Sequence, residues 1–297
     1  MRADTSVNTN PSDILSIACD AMRKYRLAKW WLADGRRRIP VQEVFRCIIA
    51  EPVERRAKKL IETVRTDGEY IEIRLKGVEG SLFYPRSYNI TGLSKTITEI
   101  LIKSDPHFYE KPVTQVMQGD IVLDCGAAEG LFALTVCNRC KKVYCFEPLA
   151  SFTQSLRKTF APMDNVIVEQ LALADFKGKA YLSGSQEGSV ISAQVSGEGC
   201  EVSTIDSLFY DKGEDVDYIK IDVEGSEASL IKGASNTIRS RKPRIAAAAY
   251  HYPKQAVDIA ETIMSIDPHY SILMVGFDYW TKNVGSTIMV HAWVDQK

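Results

Sequence analysis

Four side chains that can accept a proton follow apolar segments of the kind that form buried strands. Asp124 and Glu147 end two such segments, Asp222 ends a third, and His251 follows a fourth. Carboxylates accept hydrogen bonds from sugar hydroxyls, and both carboxylates and imidazole remove protons in catalysis. These positions therefore favour ligand binding and acid–base chemistry at one edge of a sheet.

The first of these acids opens a turn that contains two glycines. After the apolar segment the chain reads Asp124-Cys-Gly-Ala-Ala-Glu-Gly130 and continues into a helix-like stretch. Gly126 and Gly130 allow positive φ and close approach of a ligand, and the free N–H groups of the helix suit its carboxylate or phosphate. A dinucleotide fingerprint needs G-x-G-x-x-G, so this spacing favours S-adenosylmethionine over NAD. The predicted contacts are Asp124, Gly126, Ala127, Ala128 and Gly130.

Glu147 is the second predicted cofactor residue. The next apolar segment ends Phe146-Glu-Pro148, and a carboxylate there is placed to accept both ribose hydroxyl protons. A tight strand-to-helix connection would explain the glycine turn alone. Glu147 at this interval favours the nucleotide site instead.

Asp222, Glu224 and His251 are the predicted catalytic residues. Asp222 and Glu224 stand where ligands bind in open α/β sheets, and Asp222 is also expected to contact the cofactor. His251 is the preferred base, because an unperturbed pKa of about 6.5 suits proton removal near neutrality. Either acid could replace it as base or hold a divalent cation, although no metal site is predicted. The plain alternatives are a histidine that caps a strand and acids that complement a helix dipole.

These residues need a parallel sheet to bring them together. From Gly119 onward, short apolar segments alternate with helical patterns, which is typical of a parallel sheet covered on both faces. Strands are expected at 120–125, 142–147, 165–171, 216–222 and 244–250, with helices near 129–138, 150–161, 226–240 and 254–265. Residues 270–275 and 286–293 predict a C-terminal antiparallel hairpin, and the Gly/Ser-rich stretch 177–203 predicts an insertion of the kind that forms lids.

The region before this sheet is predicted to be separate. Helical patterns run from Ser12 to Leu32 and from Val41 to Val64, and a β-hairpin is expected at 70–76 and 81–84. We expect residues 1–104 to form an N-terminal helical and β-hairpin region that shapes a substrate pocket or an oligomer contact. Residues 105–297 would then form the cofactor-binding domain.

Five ordered sequence blocks resemble the FkbM family of S-adenosylmethionine-dependent methyltransferases, and the resemblance spans about residues 119–293. The blocks are Val122-Leu-Asp-Cys-Gly-Ala-Ala-Glu-Gly130, Phe146-Glu-Pro148, Ala172-Leu-Ala-Asp175, Ser203-Thr-Ile-Asp206 and Ile219-Lys-Ile-Asp-Val-Glu-Gly-Ser-Glu227. By this resemblance Ala172 and Asp175 border the adenine and Leu173 packs on it. Many relatives carry Asn at the position of Ala128, so one cofactor contact is in doubt.

The resemblance implies a Rossmann-like class I methyltransferase fold, with a mostly parallel seven-stranded sheet and an antiparallel C-terminal hairpin. It also implies O-methylation of a sugar, polyketide or other small molecule, without fixing the acceptor. Two alternatives stay open at this point. One is a module that binds S-adenosylmethionine without catalysis, and the other is a nicotinamide-dependent oxidoreductase.

The composition limits which classes of protein the sequence can belong to. The 297 residues are 45% apolar and 25% charged with a net charge of −1, which is ordinary for a globular protein and gives no hint of nucleic acid. Residues 1–65 are nonetheless basic, with 14 Lys and Arg against 8 Asp and Glu. Seven cysteines without scaffold spacing, and no export signal or membrane-spanning run, predict a cytoplasmic protein with reduced thiols. Trp30 and Trp31 could form either a helix–helix contact or a dimer contact.

Overall fold

The computed structural model describes residues 11–33, 39–88, 90–183, 190–192, 198–278 and 283–295. Its helices are α1 (Pro11–Ala33), α2 (Val41–Ile49), α3 (Val53–Leu60), α4 (Ile90–Leu101), α5 (Leu131–Val136), α6 (Ala150–Phe160), α7 (Ile205–Leu208), α8 (Glu227–Lys232), α9 (Ser235–Arg241) and α10 (Gln255–Ile266). Its strands are β1 (Ile61–Asp67), β2 (Tyr70–Leu75), β3 (Leu82–Pro85), β4 (Ile121–Cys125), β5 (Lys142–Phe146), β6 (Val166–Glu169), β7 (Ala172–Leu173), β8 (Gly178–Ser183), β9 (Val190–Ser192), β10 (Glu198–Ser203), β11 (Tyr218–Ile221), β12 (Arg244–Ala248), β13 (Ser271–Val275) and β14 (Met289–Trp293). Within these residues no helix has both the length and the apolar character that crossing a membrane requires.

The centre of the molecule is a seven-stranded sheet in the order β13-β14-β12-β11-β4-β5-β6. Strands β6, β5, β4, β11 and β12 run parallel, and β14 pairs antiparallel with both β12 and β13. The predicted α/β fold class, with its C-terminal antiparallel pair, is confirmed. The chain runs outward through β5 and β6 and then returns to the other side of β4. The strand order therefore reverses between β4 and β11, where open α/β sheets bind ligands.

Helices cover both faces of this sheet, which explains why its central strands read as unbroken apolar runs. Every residue of β4 and of β11 is buried. One core lies between the sheet and α4, α5 and α6, where Leu131, Phe152 and Leu156 have at most 3% exposure. The second core packs α8, α9 and α10 on the opposite face through Leu230, Ile238 and Ile259.

The N-terminal region contains a small antiparallel sheet. The predicted hairpin is confirmed, because β2 pairs with β3, and β1 adds a third strand on the other side of β2. The expectation that residues 61–64 continue a helix is wrong. Pairing with β2 supplies hydrogen bonds that local propensity does not reveal, so the helix ends at Leu60. Helix α4 was not predicted.

The insertion after β7 forms a second small sheet in the order β7-β10-β8-β9. Residues 184–189 and 193–197 of the predicted lid lie outside the described residues. The helix expected at 226–240 is two helices, α8 and α9, which are separated at Gly233. A side chain at Gly233 would begin 2.0 Å from the carbonyl oxygen of Ala174, so glycine allows this junction to approach the segment after β7.

Candidate functional site

A pocket opens at the carboxyl ends of β4, β5 and β11, and we call it the edge pocket. The space between its walls is about 630 Å³, a figure that includes the open mouth of the pocket. Its walls are mostly apolar and combine six predicted cofactor residues, among them Asp222, which is also a predicted catalytic residue, with the predicted catalytic residue Glu224 and seven others. They are Gly126, Ala128, Phe146, Glu147, Pro148, Leu149, Phe152, Leu171, Ala172, Leu173, Leu182, Asp222, Val223 and Glu224.

Glu147 is the buried acid of this pocket, and backbone N–H groups hold both of its carboxylate oxygens. Ala128 donates to Oε2 at 3.0 Å and Leu149 donates to Oε1 at 2.9 Å. Burial raises the pKa of Glu147 to about 7, although these two N–H groups oppose the shift. The carboxylate keeps lone pairs for further donors, so it can accept hydrogen bonds from a ligand's hydroxyl groups.

The glycine turn follows β4, and its conformation requires the predicted residues. Gly126 has φ +75°, and a side chain there would begin 1.8 Å from the carbonyl oxygen of Asp222. The N–H groups of Gly126 and Ala127 both donate to the Phe146 carbonyl at 3.0 Å, which fixes the turn against β5. Gly130 is required for packing instead. A side chain at this position would clash with Leu156 and Phe160 of α6, so glycine allows α5 to pack closely on that helix.

Asp124 is fully buried behind the turn and lines neither the edge pocket nor the chamber described below. Its Oδ1 is 2.9 Å from Nζ of Lys220, which also donates to the Gly126 carbonyl at 2.5 Å. Burial opposes the charge of Lys220, but Asp124 and Asp222 raise its pKa above the ordinary value. Lys220 was not singled out from the sequence, although a lone lysine in a buried strand needs a counter-ion.

The three predicted catalytic residues meet at the wall of the edge pocket. Nε2 of His251 lies 3.5 Å from Oδ1 of Asp222 and 3.3 Å from Oε2 of Glu224. Nδ1 of the same ring faces Oε1 of Glu227, a fully buried acid, at 3.2 Å. Tyr109 donates its hydroxyl to Oδ2 of Asp222 at 2.8 Å. The structure therefore assembles one imidazole among three carboxylates.

The charges in this cluster shift the pKa of His251 away from its ordinary value. Burial lowers the pKa of the imidazole, but the carboxylates of Glu224 and Glu227 outweigh burial and raise it to about 10. Burial likewise works to raise the pKa of Asp222, while His251 and Lys220 hold it below the ordinary value. The premise of an unperturbed pKa near 6.5 for His251 is therefore corrected, because the neighbouring carboxylates favour the protonated ring.

A second cavity, which we call the inner chamber, adjoins the edge pocket. It has a volume of about 720 Å³ and shares Gly126, Ala128, Asp222 and Glu224 with that pocket. Its other walls include Ala127, aromatic rings and charged side chains from the N-terminal half of the chain. Among them are Lys95, Glu99, His107, Tyr109, Phe132 and Lys220.

The inner chamber continues into a larger outer cavity of about 1930 Å³ through Lys95, Glu99 and His107, which line both. The outer cavity lies between α2, α4 and the segments that flank β13 and β14. His107 is buried, and neither of its ring nitrogens has a hydrogen-bond partner among the described residues. No ligand spacing surrounds this histidine in the sequence, so its place in the chamber was not predicted.

Not all of the predicted residues line a cavity. Asp175 is exposed, lies outside the lining of the edge pocket and accepts a hydrogen bond from Ser229 Oγ at 2.7 Å. Its predicted place beside an adenine stays a prediction. His251 reaches the pocket only through its contacts with Asp222 and Glu224.

Comparisons with known proteins give the following similarities. No curated protein matches the sequence. Among solved structures, an FkbM methyltransferase from Methylobacillus flagellatus is 20% identical, with 67% of this chain and 54% of that chain covered and a TM-score of 0.48. TYW2 from M. jannaschii, in complex with AdoMet, is 10% identical, with 79% and 90% covered and a TM-score of 0.43. Fibrillarin from Aeropyrum pernix, with bound S-adenosyl-L-methionine, is 14% identical, with 78% and 98% covered and a TM-score of 0.39.

The match to the Methylobacillus protein thus spans 54% of its length, or about half. The model of the methyltransferase FkbM domain matches residues 124–273, about half of this chain. That segment contains the glycine turn, Glu147 and the cluster around His251, and it confirms the resemblance found in the sequence blocks. The chain belongs to the methyltransferase FkbM domain family.

Proposed function

We propose that this methyltransferase transfers the methyl group of S-adenosylmethionine to a hydroxyl group of a small molecule or sugar. The observation that carries the proposal is the Glu147 carboxylate, held by the glycine turn at the rim of an apolar pocket. Such a carboxylate accepts both hydroxyl protons of a ribose. The apolar side chains of Leu149 and Leu173 offer packing surfaces for an adenine.

The other proposed cofactor contacts surround Glu147 in the same pocket or in the adjoining chamber. Gly126, Ala128, Ala172 and Asp222 line the edge pocket, and Ala127 lines the inner chamber. We propose that these residues contact the nucleoside and the amino-acid part of the cofactor. Two other residues act by shaping the turn, Asp124 through Lys220 and Gly130 through its packing on α6.

The inner chamber is the proposed site of the acceptor. It shares Asp222 and Glu224 with the edge pocket and His107 with the outer cavity, and we propose that the acceptor reaches the cofactor through these adjoining cavities. Helices α2 and α4 supply much of this route, so the N-terminal region, which we place at residues 1–104, shapes the acceptor site. Aromatic rings beside charged groups suit an acceptor with apolar faces and hydroxyl groups.

The reaction is an in-line displacement at the sulfonium methyl group. The acceptor oxygen forms a bond to the methyl carbon, the sulfur keeps the electron pair of the broken bond, and the acceptor loses its hydroxyl proton. Holding the two reacting atoms about 3 Å apart is the largest contribution expected from the protein. We propose that a carboxylate oxygen of Asp222 or Glu224 takes the proton, and that His251 holds both acids in place.

The two alternative functions are less well supported. A nicotinamide-dependent enzyme would need the dinucleotide fingerprint that this turn lacks. A module that only binds the cofactor would need no route from the surface to the methyl group, whereas the inner chamber and outer cavity together form such a route.

Calorimetric titration of the full-length chain with S-adenosylhomocysteine tests the cofactor assignment. We expect binding of this product and no comparable binding of NAD. Glu147→Gln should weaken the product's affinity about 10–100-fold, because hydrogen bonds to a charged group contribute about 1.5–3 kcal/mol. The control Glu169→Gln changes an exposed acid at the end of β6 and should bind as the wild type does. Binding of NAD alone would reject the proposal.

A further inference from the structure

We propose that Asp222, Glu224 and His251 form a binding site for one divalent transition-metal cation. Each side chain offers one ligand atom, and the three atoms lie within 4.8 Å of one another. In the part of the chain that the structure describes, they are the only such group of His, Cys, Asp or Glu side chains. The site lies where the edge pocket meets the inner chamber.

The two distances from His251 to these acids are longer than usual hydrogen bonds and close to the separation of two ligands on one ion. Nε2 of His251 is 3.5 Å and 3.3 Å from the two carboxylate oxygens, beyond the range of about 2.7–3.2 Å for N–H···O bonds. Two ligands at about 2.1 Å from one ion lie roughly 3.0–3.4 Å apart when the angle between them is octahedral or tetrahedral. Nε2 and Oδ1 of Asp222 are also buried without a hydrogen-bond partner among the described residues.

The groups behind these ligands are those that orient metal-binding side chains. A ligating histidine usually directs its second ring nitrogen at a carboxylate, which fixes the tautomer and the ring plane. Here Nδ1 of His251 faces Glu227, and the N–H groups of Val223 and Gly225 hold that buried acid at 3.0 and 3.2 Å. Nε2 is thereby left to face the two other acids. Tyr109 holds Oδ2 of Asp222 in the same manner.

The donor set indicates the class of cation. One imidazole nitrogen with two carboxylates suits Mn²⁺, Fe²⁺ or Zn²⁺ better than Ca²⁺ or Mg²⁺, which prefer oxygen ligands alone. Three protein ligands leave coordination positions for water or substrate, as catalytic metal sites do. The open side faces the junction of the edge pocket and the inner chamber, because Asp222 and Glu224 line both cavities.

The consequence for catalysis rests on the proposed function. A cation at this wall would lie beside the proposed acceptor site and would lower the pKa of a hydroxyl group that approaches it. The proton then leaves more easily, and the bonds formed and broken in methyl transfer stay the same. The ion would also balance the charge of the carboxylates that surround His251.

Binding of Mn²⁺ to the full-length chain, after treatment with a chelator, tests the site without any acceptor. We expect loss of the electron paramagnetic resonance signal of free Mn²⁺ with one ion per chain. Glu224→Gln and His251→Gln should weaken this binding at least tenfold, while the exposed control Glu261→Gln should not change it. Circular dichroism and thermal melts establish that each variant is folded.

Two outcomes would overturn the cation site. Either the wild type binds neither Mn²⁺ nor Zn²⁺, or folded Glu224 and His251 variants bind the ion as well as the wild type. In both cases the cluster is an imidazolium paired with carboxylates. The test separates this inference from the proposed function. Cation binding without S-adenosylhomocysteine binding keeps the metal site and removes the proposed cofactor. Binding of S-adenosylhomocysteine without cation binding keeps the cofactor and removes the metal site.

Discussion

Lys220 lies directly across from Asp124 in the neighbouring strands β11 and β4, and its Nζ is 2.9 Å from the Asp124 carboxylate. Both side chains are buried in the centre of the sheet. Because Nζ also donates to the Gly126 carbonyl, the pair ties the glycine turn to the strand that leads into Asp222. The turn is therefore positioned by a buried charge that does not line the edge pocket.

Lys220→Met should lower the free energy of unfolding by about 3–5 kcal/mol, because it leaves the Asp124 carboxylate buried without a counter-charge. Urea denaturation followed by circular dichroism measures the loss. The double variant Asp124→Asn with Lys220→Met removes both charges and should recover more than half of it. A double variant as unstable as the sum of the two single changes would refute the role of this ion pair.

Gly126→Ala should destabilise the protein more than Gly119→Ala does. Both glycines have positive φ, +75° and +86°, so each alanine carries about 1–2 kcal/mol of left-handed strain. At Gly126 the new Cβ also meets the Asp222 carbonyl, which adds about 1–3 kcal/mol, whereas nothing lies within 4 Å at Gly119. Thermal melts give the comparison, and equal losses would show that the close approach carries no cost.

Affinity for S-adenosylhomocysteine should fall about tenfold between pH 8 and pH 6. The pKa of Glu147 is about 7 in the unliganded protein, and the ionised carboxylate is the form that accepts the ribose hydroxyl protons. In Glu147→Gln this pH dependence should disappear. An unchanged slope in the variant would assign the titration to another group.

The same raised pKa has a consequence for stability without ligand. The folded protein holds the Glu147 proton more tightly than the unfolded chain, whose ordinary pKa is 4.5. The contribution of this proton to the free energy of unfolding is complete below pH 4.5 and is lost as the pH rises through about 7. The melting temperature of the wild type should therefore fall relative to that of Glu147→Gln between pH 5 and pH 8.

Ala128→Asn should stabilise the protein by about 0.5–1 kcal/mol. Ala128 has φ +45°, a left-handed conformation that Asn adopts more readily than Ala. In the family that the sequence blocks resemble, many members carry Asn at this position. Ala128→Val is the matched opposite, because a β-branched side chain disfavours positive φ and should destabilise the turn. Equal melting temperatures for the two variants would exclude backbone strain at this residue.

Much of the central sheet could be predicted because strands covered on both faces are short apolar runs that end at polar residues. Asp124, Glu147 and Asp222 stand at such ends, and strand order alone brings them to one edge. The fold of the N-terminal region was harder to predict from the sequence, because β1 depends on pairing with β2 rather than on its own residues. Local patterns cannot reveal such pairing.

The parts of the site that were missed depend on partners far away in the chain. Tyr109 reaches Asp222 across 113 residues, and no local pattern connects the two. The pKa of His251 likewise depends on Glu224, in the segment after β11, and on Glu227, at the start of α8. Lys220 is the exception, because a single lysine within a buried strand was itself a signal that a buried acid must lie nearby.

A crystal structure of the full-length chain with S-adenosylhomocysteine tests the central claim most directly. We expect the ribose hydroxyls on the Glu147 carboxylate, the adenine against Leu173, and the sulfur at the boundary between the edge pocket and the inner chamber. A nucleoside bound elsewhere, or an edge pocket that stays closed to the ligand at saturating concentration, would contradict it.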